Sequence, residues 1–275
     1  MSKTRDPKQA PCETWFLWHD AAPITPLSLL TDVGTLFESL GERPTRVRAA
    51  TVEGKLERRR YTQEGLAGLA SLSNIGSVAI MNRETADPVE VSLFLRDHPS
   101  TSTVARGQFE RWISVRSTKA IQSRVAVLRF LERATAGYPV VHGAAMRSRD
   151  WNHASAEIYL TCVGSRLGPG EATRTHFDAM NIRLAHRKLR RLYPITIIGP
   201  AIWAQLPPMP AFDPMPTVEE LGDCKIVTAW PELCDPRDPA FLRGTRALRE
   251  WLWPYTIQNP ADHVDNDPPC ADVAT

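Results

Sequence analysis

Histidine residues in the middle of the chain are the first candidates for chemistry. Four lie there, His142, His153, His176 and His186, and Asp178 follows His176 by two positions. Imidazole and carboxylate groups bind catalytic metals and act as general acids and bases. Their spacing matches no defined ligand motif, since neither HExxH nor a facial-triad pattern surrounds them. We therefore expect no metal and no cofactor. A hydrolase or metal-dependent enzyme using His142, His153, His176 and Asp178 is kept as the first alternative to the binding function developed below.

Nucleophiles and phosphate-binding loops are equally poorly supported. Ser165 lies in VGSRLGPG, which lacks the GxSxG elbow of hydrolases. Cys162 lies in the apolar run YLTCVG, where a free cysteine is more often a small core residue than a reactive thiol. The sequence contains neither a Walker A motif nor GxGxxG. These absences argue against the common enzyme classes, and we expect a protein that is not an enzyme.

A basic segment, residues 177–192, predicts an amphipathic helix. Phe177, Met180 and Leu184 form its apolar stripe, and five basic residues occupy the remainder: Arg183, Arg187, Lys188, Arg190 and Arg191. Such a face can contact phosphates through a salt-dependent electrostatic attraction. No helix-turn-helix or zinc-finger pattern accompanies it, and a solvated surface accounts for it better. A nucleic-acid-associated factor is therefore the second alternative, and direct nucleic-acid binding is not expected.

Carboxylates near a tryptophan in the last third form a candidate partner-binding surface. Its predicted members are Glu219, Glu220, Asp223, Trp230, Glu232 and Asp235. Acidic groups beside an aromatic side chain suit a basic protein partner, because complementary charge speeds association and selects the partner. Ordinary solubilising charge explains the same residues equally well.

The distribution of charge supports a directional surface. The whole chain of 275 residues carries a net charge of only +2, but residues 1–130 carry +4, residues 131–200 carry +5 and residues 201–275 carry −7.

A composition of 43% hydrophobic and 23% charged residues is that of a globular protein. The five cysteines are odd in number and contain no CxxC pair, which favours a reducing compartment and argues against structural zinc. With no transmembrane or secretory pattern, we expect a cytoplasmic protein that does not bind membranes.

Secondary-structure patterns predict an α+β fold, with a mixed, mostly antiparallel sheet flanked by helices and a C-terminal βα unit. Strands are predicted over 13–19, 45–52, 76–81, 89–95, 108–115 and 225–230. Helices are predicted over 26–40, 62–72, 123–136 and 177–192, with a last helix opening at Asp238-Pro239 and ending before Pro254. We expect a single domain over residues 1–257. Residues 258–275 are predicted to be a disordered acidic tail.

The C-terminal part of the chain resembles immunity protein 52 and related type VI immunity families. The resemblance is carried by WAQLPPMP from Trp203, by PTVEELGDCKIVTAWPEL (216–233) and by DPAFLRGTRALREWLWP (238–254). Members of those families similarly close with a tryptophan-bearing segment, a proline-rich connector, a strand and a final helix that opens at an Asn/Asp-Pro. The GDC turn and the long acidic tail depart from that pattern.

This resemblance implies an immunity protein of a polymorphic toxin system that serves bacterial competition. Such a protein is a cytoplasmic inhibitor that binds its cognate bacterial toxin domain, expected to be a basic nuclease, and occludes the active site. An acidic face would fit there, because a nuclease site attracts phosphate and so presents positive potential. The resemblance implies no catalytic residues.

Overall fold

The α+β prediction is confirmed by a computed structural model, which describes residues 11–19, 26–51, 55–70, 75–82, 88–94, 111–118, 124–136, 140–149, 188–189, 192–230, 232–235 and 238–256. The strands are β1 (Cys12–His19), β2 (Arg46–Thr51), β3 (Leu56–Arg60), β4 (Ile75–Asn82), β5 (Val89–Phe94), β6 (Arg111–Ser117), β7 (Val140–Ser148), β8 (Ile195–Ile198), β9 (Thr217–Leu221) and β10 (Cys224–Thr228). The helices are α1 (Pro26–Ser39), α2 (Gln63–Ala70), α3 (Arg124–Thr135), α4 (Pro200–Trp203), α5 (Pro239–Gly244) and α6 (Arg246–Leu252), followed by a 3-10 turn, Trp253–Tyr255.

The ten strands of the described residues form one sheet in the order β3-β2-β4-β5-β6-β1-β7-β8-β10-β9. Every pairing of neighbouring strands is antiparallel. The first strand therefore lies near the centre, between β6 and β7, whereas β3 and β9 form the two edges. An edge strand leaves one row of backbone N–H and C=O groups without a strand partner.

One face of the sheet, called the first face here, packs against the three long helices. Its strands contribute alternate apolar residues such as Trp15, Leu17, Ile80, Val91 and Ile113, all buried. Helix α1 buries Val33, Leu36, Phe37 and Leu40 against them, at the spacing of one helical stripe. Helix α3 adds Val127, Phe130, Leu131 and Ala134.

The opposite face, called the second face, carries a second apolar core on strands β1, β7, β8 and β10. Phe16 and Tyr193 are fully buried there, and α4 and α6 contribute Ile202, Leu248 and Trp251. The Trp251 indole N–H donates to the Pro207 carbonyl at 3.3 Å, which attaches the proline-rich segment 207–216 to this core.

The sequence missed four strands: β3, β7, β8 and β9. The charged sequences LERRR of β3 and TVEEL of β9 lack the apolar alternation of a half-buried strand, because edge strands have little to bury. The predicted final helix is divided at Thr245, whose hydroxyl donates to the Phe241 carbonyl at 2.7 Å. Such back-bonding bends helices. Its predicted start is correct, since the Asp238 carboxylate accepts from the Ala240 N–H at 2.7 Å.

The predicted helix over 177–192 is wrong at its C-terminal end. Leu189 is buried in an isolated parallel bridge with Thr256, and its N–H donates to the Tyr255 carbonyl at 2.8 Å. Lys188 reaches the Pro254 carbonyl at 3.3 Å. Residues 177–187, 190 and 191 lie outside the described residues, as does the predicted tail 258–275. In the described part of the chain, none of the helices is both long and apolar enough to cross a bilayer.

Candidate binding surfaces

Three of the predicted partner-binding residues lie on the β9–β10 hairpin at one edge of the sheet. Strands β9 and β10 are joined by Gly222 and Asp223, and Gly222 has a φ of 55°, in the left-handed region that suits glycine. Asp223 is therefore exposed at the tip of the turn. We call Glu219, Glu220 and Asp223 the acidic hairpin.

Both glutamates of the acidic hairpin already have a basic neighbour. On the first face, the Arg124 guanidinium of α3 donates to Glu219 at 2.8 Å and also lies 5.9 Å from the centre of the Trp15 ring. On the second face, Lys225 of β10 pairs with Glu220, and this hydrogen bond and positive charge lower the pKa of the Glu220 carboxyl. The two glutamate side chains are still 57% and 77% exposed, so a partner can reach them.

The other three predicted residues lie at the opposite end of β10. Trp230 packs against Gly244 of α5 so closely that a Cβ at position 244 would overlap the indole ring. Glu232 is exposed and Asp235 is half-buried in the segment that follows. Five residues of β10 separate the two groups by about 17 Å. The six residues therefore do not form one compact surface.

The described residues give no support to the alternative of an enzyme that uses the histidines of the middle third. His142 is fully buried on β7, and its ring meets the Phe16 ring edge to face at 6.2 Å. His153, His176, His186 and Asp178 lie outside the described residues. Within the described ranges, no group of three or more His, Cys, Asp or Glu side chains is placed to hold a metal ion.

A basic surface at the other edge of the sheet was missed by sequence reasoning. Val47 and Ala49 of β2 point into the first core, so strand alternation places Arg46 and Arg48 on the second face. The antiparallel register sets Arg60 opposite Arg46 and Arg58 opposite Arg48. We call Arg46, Arg48, Arg58 and Arg60 the arginine face. The signal for it is the density of charge, since residues 46–60 contain six basic and two acidic residues.

The charged side chains on the first face of β3 differ from the arginine face, because they form ion pairs with one another. Glu57 lies 2.9 Å from Lys55 and 3.9 Å from Arg59, and the hydrogen bond and charge of Lys55 lower the pKa of the Glu57 carboxyl. On the arginine face, Arg46, Arg58 and Arg60 are exposed and Arg48 is half-buried. Among the described residues, no carboxylate forms an ion pair with Arg48, Arg58 or Arg60.

A buried ion pair lies between the arginine face and the second core. Glu90 of β5 and Arg116 of β6 stand opposite each other in the sheet, 2.9 Å apart, with side chains only 6% and 8% exposed. The Ser92 hydroxyl also donates to Glu90, at 3.0 Å. Removing two charges from water is costly unless they pair and hydrogen-bond, as they do here. The pair is part of the protein interior and is not a surface for a partner.

The described cysteines, Cys12, Cys224 and Cys234, are free thiols, and burial raises the pKa of each. Burial raises the pKa of Cys12 to about 12, against a smaller lowering by Arg116. Burial, with the charges of Asp238 and Asp235, raises the pKa of Cys234 to about 12 as well. The candidate Cys162 lies outside the described residues. Because the thiolate is the nucleophile, these thiols will react slowly in the folded protein.

The Cys12 thiol should make folding stability depend on pH under alkaline conditions. In the unfolded chain it ionises near its ordinary pKa of 9.0, whereas in the folded protein it stays neutral up to about 12. Its contribution is therefore complete below about pH 9 and is lost as the pH rises towards about 12. Urea unfolding across that range should show a steeper loss of stability for the natural protein than for Cys12→Ala. Equal slopes would contradict the expected burial of the neutral thiol.

Comparison with solved structures shows a similarity at the level of the fold. The chain is similar in structure to the Pseudomonas aeruginosa T6SS protein PA0821, with a TM-score of 0.51 and 14% sequence identity. The similarity covers 90% of this chain and 73% of that protein. No protein-family model and no curated protein sequence matches the chain, so the resemblance to immunity protein 52 has no support from them. The chain therefore shares its fold with a type VI secretion system protein.

Proposed function

We propose that this protein is a cytoplasmic immunity protein of a type VI secretion system, which binds a toxin domain and occludes its active site. The observation that carries the proposal is the similarity in fold to a T6SS protein over nine-tenths of the chain. The sequence resemblance of residues 203–254 to type VI immunity families points to the same function, although no family model matches the chain. The partner is a toxin domain with a basic surface, as expected of a nuclease.

The acidic hairpin is the surface we assign to that partner. It lies on the exposed edge strand β9 and combines three carboxylates with the exposed apolar side chains of Val218 and Met215. Such a mixture suits a protein interface, which needs apolar contact as well as complementary charge. The pairing of Glu220 with Lys225 does not prevent binding, because exposed ion pairs contribute only about 0–1 kcal/mol and exchange easily. Trp230 is a structural residue in this proposal, since its ring packs on Gly244.

Co-expression tests the immunity function directly. The full-length protein is produced together with the toxin domain encoded next to its own gene, and survival of the host is compared with that of cells producing the toxin alone. We expect survival with the natural protein. Killing that is unaffected by its presence, together with no detectable complex of the two purified proteins, would overturn the proposal.

A charge-removal variant tests the surface separately. Combining Glu219→Gln, Glu220→Gln and Asp223→Asn should weaken the complex by about tenfold or more and reduce its dependence on salt, because complementary charge mainly sets the rate of association. The matched control is Glu64→Gln with Glu132→Gln and Glu250→Gln, which removes three exposed carboxylates from helices. Equal affinity of both variants for the toxin would show that the partner binds elsewhere.

A further inference from the structure

Three residues of the arginine face, Arg48, Arg58 and Arg60, form no ion pair with a carboxylate of the described residues. Its four residues stand as two directly opposed pairs, Arg46 with Arg60 and Arg48 with Arg58. Cβ atoms of opposed residues in a sheet lie about 5 Å apart, and like charges in this position destabilise the pairing. The opposition of Arg48 and Arg58 therefore disfavours the pairing of β2 with β3, and an anionic partner would relieve that repulsion.

The backbone at this edge offers a second kind of contact. Strand β3 is the last in the sheet, so the side of its backbone that faces away from β2 has no strand partner among the described residues. An extended peptide can pair with such an edge and form main-chain hydrogen bonds. Leu56, at the start of β3, is also 46% exposed and gives that peptide an apolar contact.

The arginine side chains and the open backbone edge of β3 favour the same ligand, because both repeat every two residues along the strand. Arg58 and Arg60 are two residues apart on β3 and so lie about 7 Å apart on one face of the sheet. A peptide strand paired with β3 would present every second side chain to that face with the same spacing. Aspartate or glutamate at those positions would meet the guanidinium groups, which bind carboxylates through two parallel hydrogen bonds.

We propose that the β2–β3 edge binds an extended acidic polypeptide segment, which adds an eleventh strand beside β3 and places alternating carboxylates on the arginine face. This surface is separate from the acidic hairpin and does not depend on the proposed immunity function. A polypeptide is favoured over a nucleic acid because only a peptide strand uses both the open backbone edge and the two-residue repeat.

The test uses the full-length protein and a fluorescein-labelled synthetic peptide of about ten residues with alternating Glu and Thr, long enough to cover the five residues of β3. Fluorescence anisotropy measures its dissociation constant. Arg58→Gln with Arg60→Gln should weaken binding by about tenfold or more, as expected for the loss of two charge-assisted contacts. The matched control, Lys55→Gln with Arg59→Gln, removes the same charge beside the same strand on its other face and should change binding by less than about threefold.

Two further measurements separate this proposal from simpler explanations. The same peptide N-methylated at alternate residues cannot form the edge hydrogen bonds and should bind about tenfold more weakly or worse. The Arg58→Gln, Arg60→Gln variant should also unfold at the same or a higher temperature than the natural protein, since it removes like-charge opposition. This variant is therefore expected to remain folded.

Several results would overturn the proposal. Equal weakening by the two double variants would mean attraction by general charge, and equal binding of the N-methylated peptide would exclude strand pairing. Tighter binding of a single-stranded or duplex oligonucleotide than of the peptide would assign the surface to nucleic acid. Self-association of the protein that the arginine-face variant abolishes would assign it to a second copy of this chain.

Discussion

Replacing Arg116 by alanine should lower the free energy of unfolding by about 3–5 kcal/mol, because it leaves the Glu90 carboxylate buried without its guanidinium. The two groups are 2.9 Å apart in the middle of the sheet, at the β5–β6 pairing, and water cannot replace the missing charge there. Urea unfolding measured by far-ultraviolet circular dichroism gives the change.

The paired substitution distinguishes loss of a partner from loss of the pair. Glu90→Leu combined with Arg116→Leu removes both charges, and it should cost much less than Arg116→Ala, since apolar residues often replace a buried ion pair with little loss. Arg133→Ala is the control, because its ion pair with Asp32 is at the surface and should contribute at most about 1 kcal/mol. A cost for Arg116→Ala as small as that of the control would contradict the prediction.

The sheet was predicted where its strands bury one or both faces. Alternation or continuous apolar runs indicated β1, β4 and β5 within two residues of their observed ends, because these strands lie inside the sheet and supply the first core. Strand β7 is also interior, but its VVHGAAMRS is interrupted by Gly143, whose Cβ position is filled by Leu17 and the Phe16 carbonyl. That glycine is required by close packing of β1 on β7, which depends on residues far away in the sequence.

The candidate surfaces depend on register, which the sequence does not reveal. Adjacent residues of a strand point to opposite faces, so Glu219 and Glu220 contact different neighbours although they are neighbours in the chain. Conversely, the arginine face is assembled from two strands and exists only because β2 and β3 pair with Arg60 opposite Arg46. Composition detected the acidic excess of residues 201–275, but it missed the basic residues of 46–60 and could not show on which face each charge lies.

The net charge of +2 also conceals how the charges are separated in space. The basic edge strand β3 and the acidic edge strand β9 lie nine strand spacings apart, about 43 Å across the sheet. This distance exceeds the screening length of about 8 Å at physiological salt several times. Substitutions on the arginine face should therefore leave toxin binding at the acidic hairpin unchanged, which makes the two proposed interactions separately testable.

Replacing Phe16 by alanine should lower the free energy of unfolding by about 3–5 kcal/mol, because it opens a cavity in the second core. Phe16 lies on the central strand β1 with no exposed surface, and its ring meets the Tyr193 ring edge to face at 5.4 Å. Edge-to-face aromatic pairs add about 0.5–1.5 kcal/mol beyond the area that they bury. Urea unfolding gives the total, and the near-ultraviolet circular dichroism of the native state should change as Tyr193 loses its partner.

Phe16→Leu separates the two contributions, since leucine keeps most of the buried volume and removes the aromatic contact. It should be clearly less destabilising than Phe16→Ala, and combining it with Tyr193→Leu should give a coupling between the two residues of about 0.5–1.5 kcal/mol. Val125→Ala is the control for an apolar residue outside the cores, because Val125 is 61% exposed on α3 and its loss should change stability by less than about 0.5 kcal/mol. A cost of Phe16→Ala near that of the control would mean that the second core does not hold β1 in place. The packing of β7 and β8 beside it would then need another explanation.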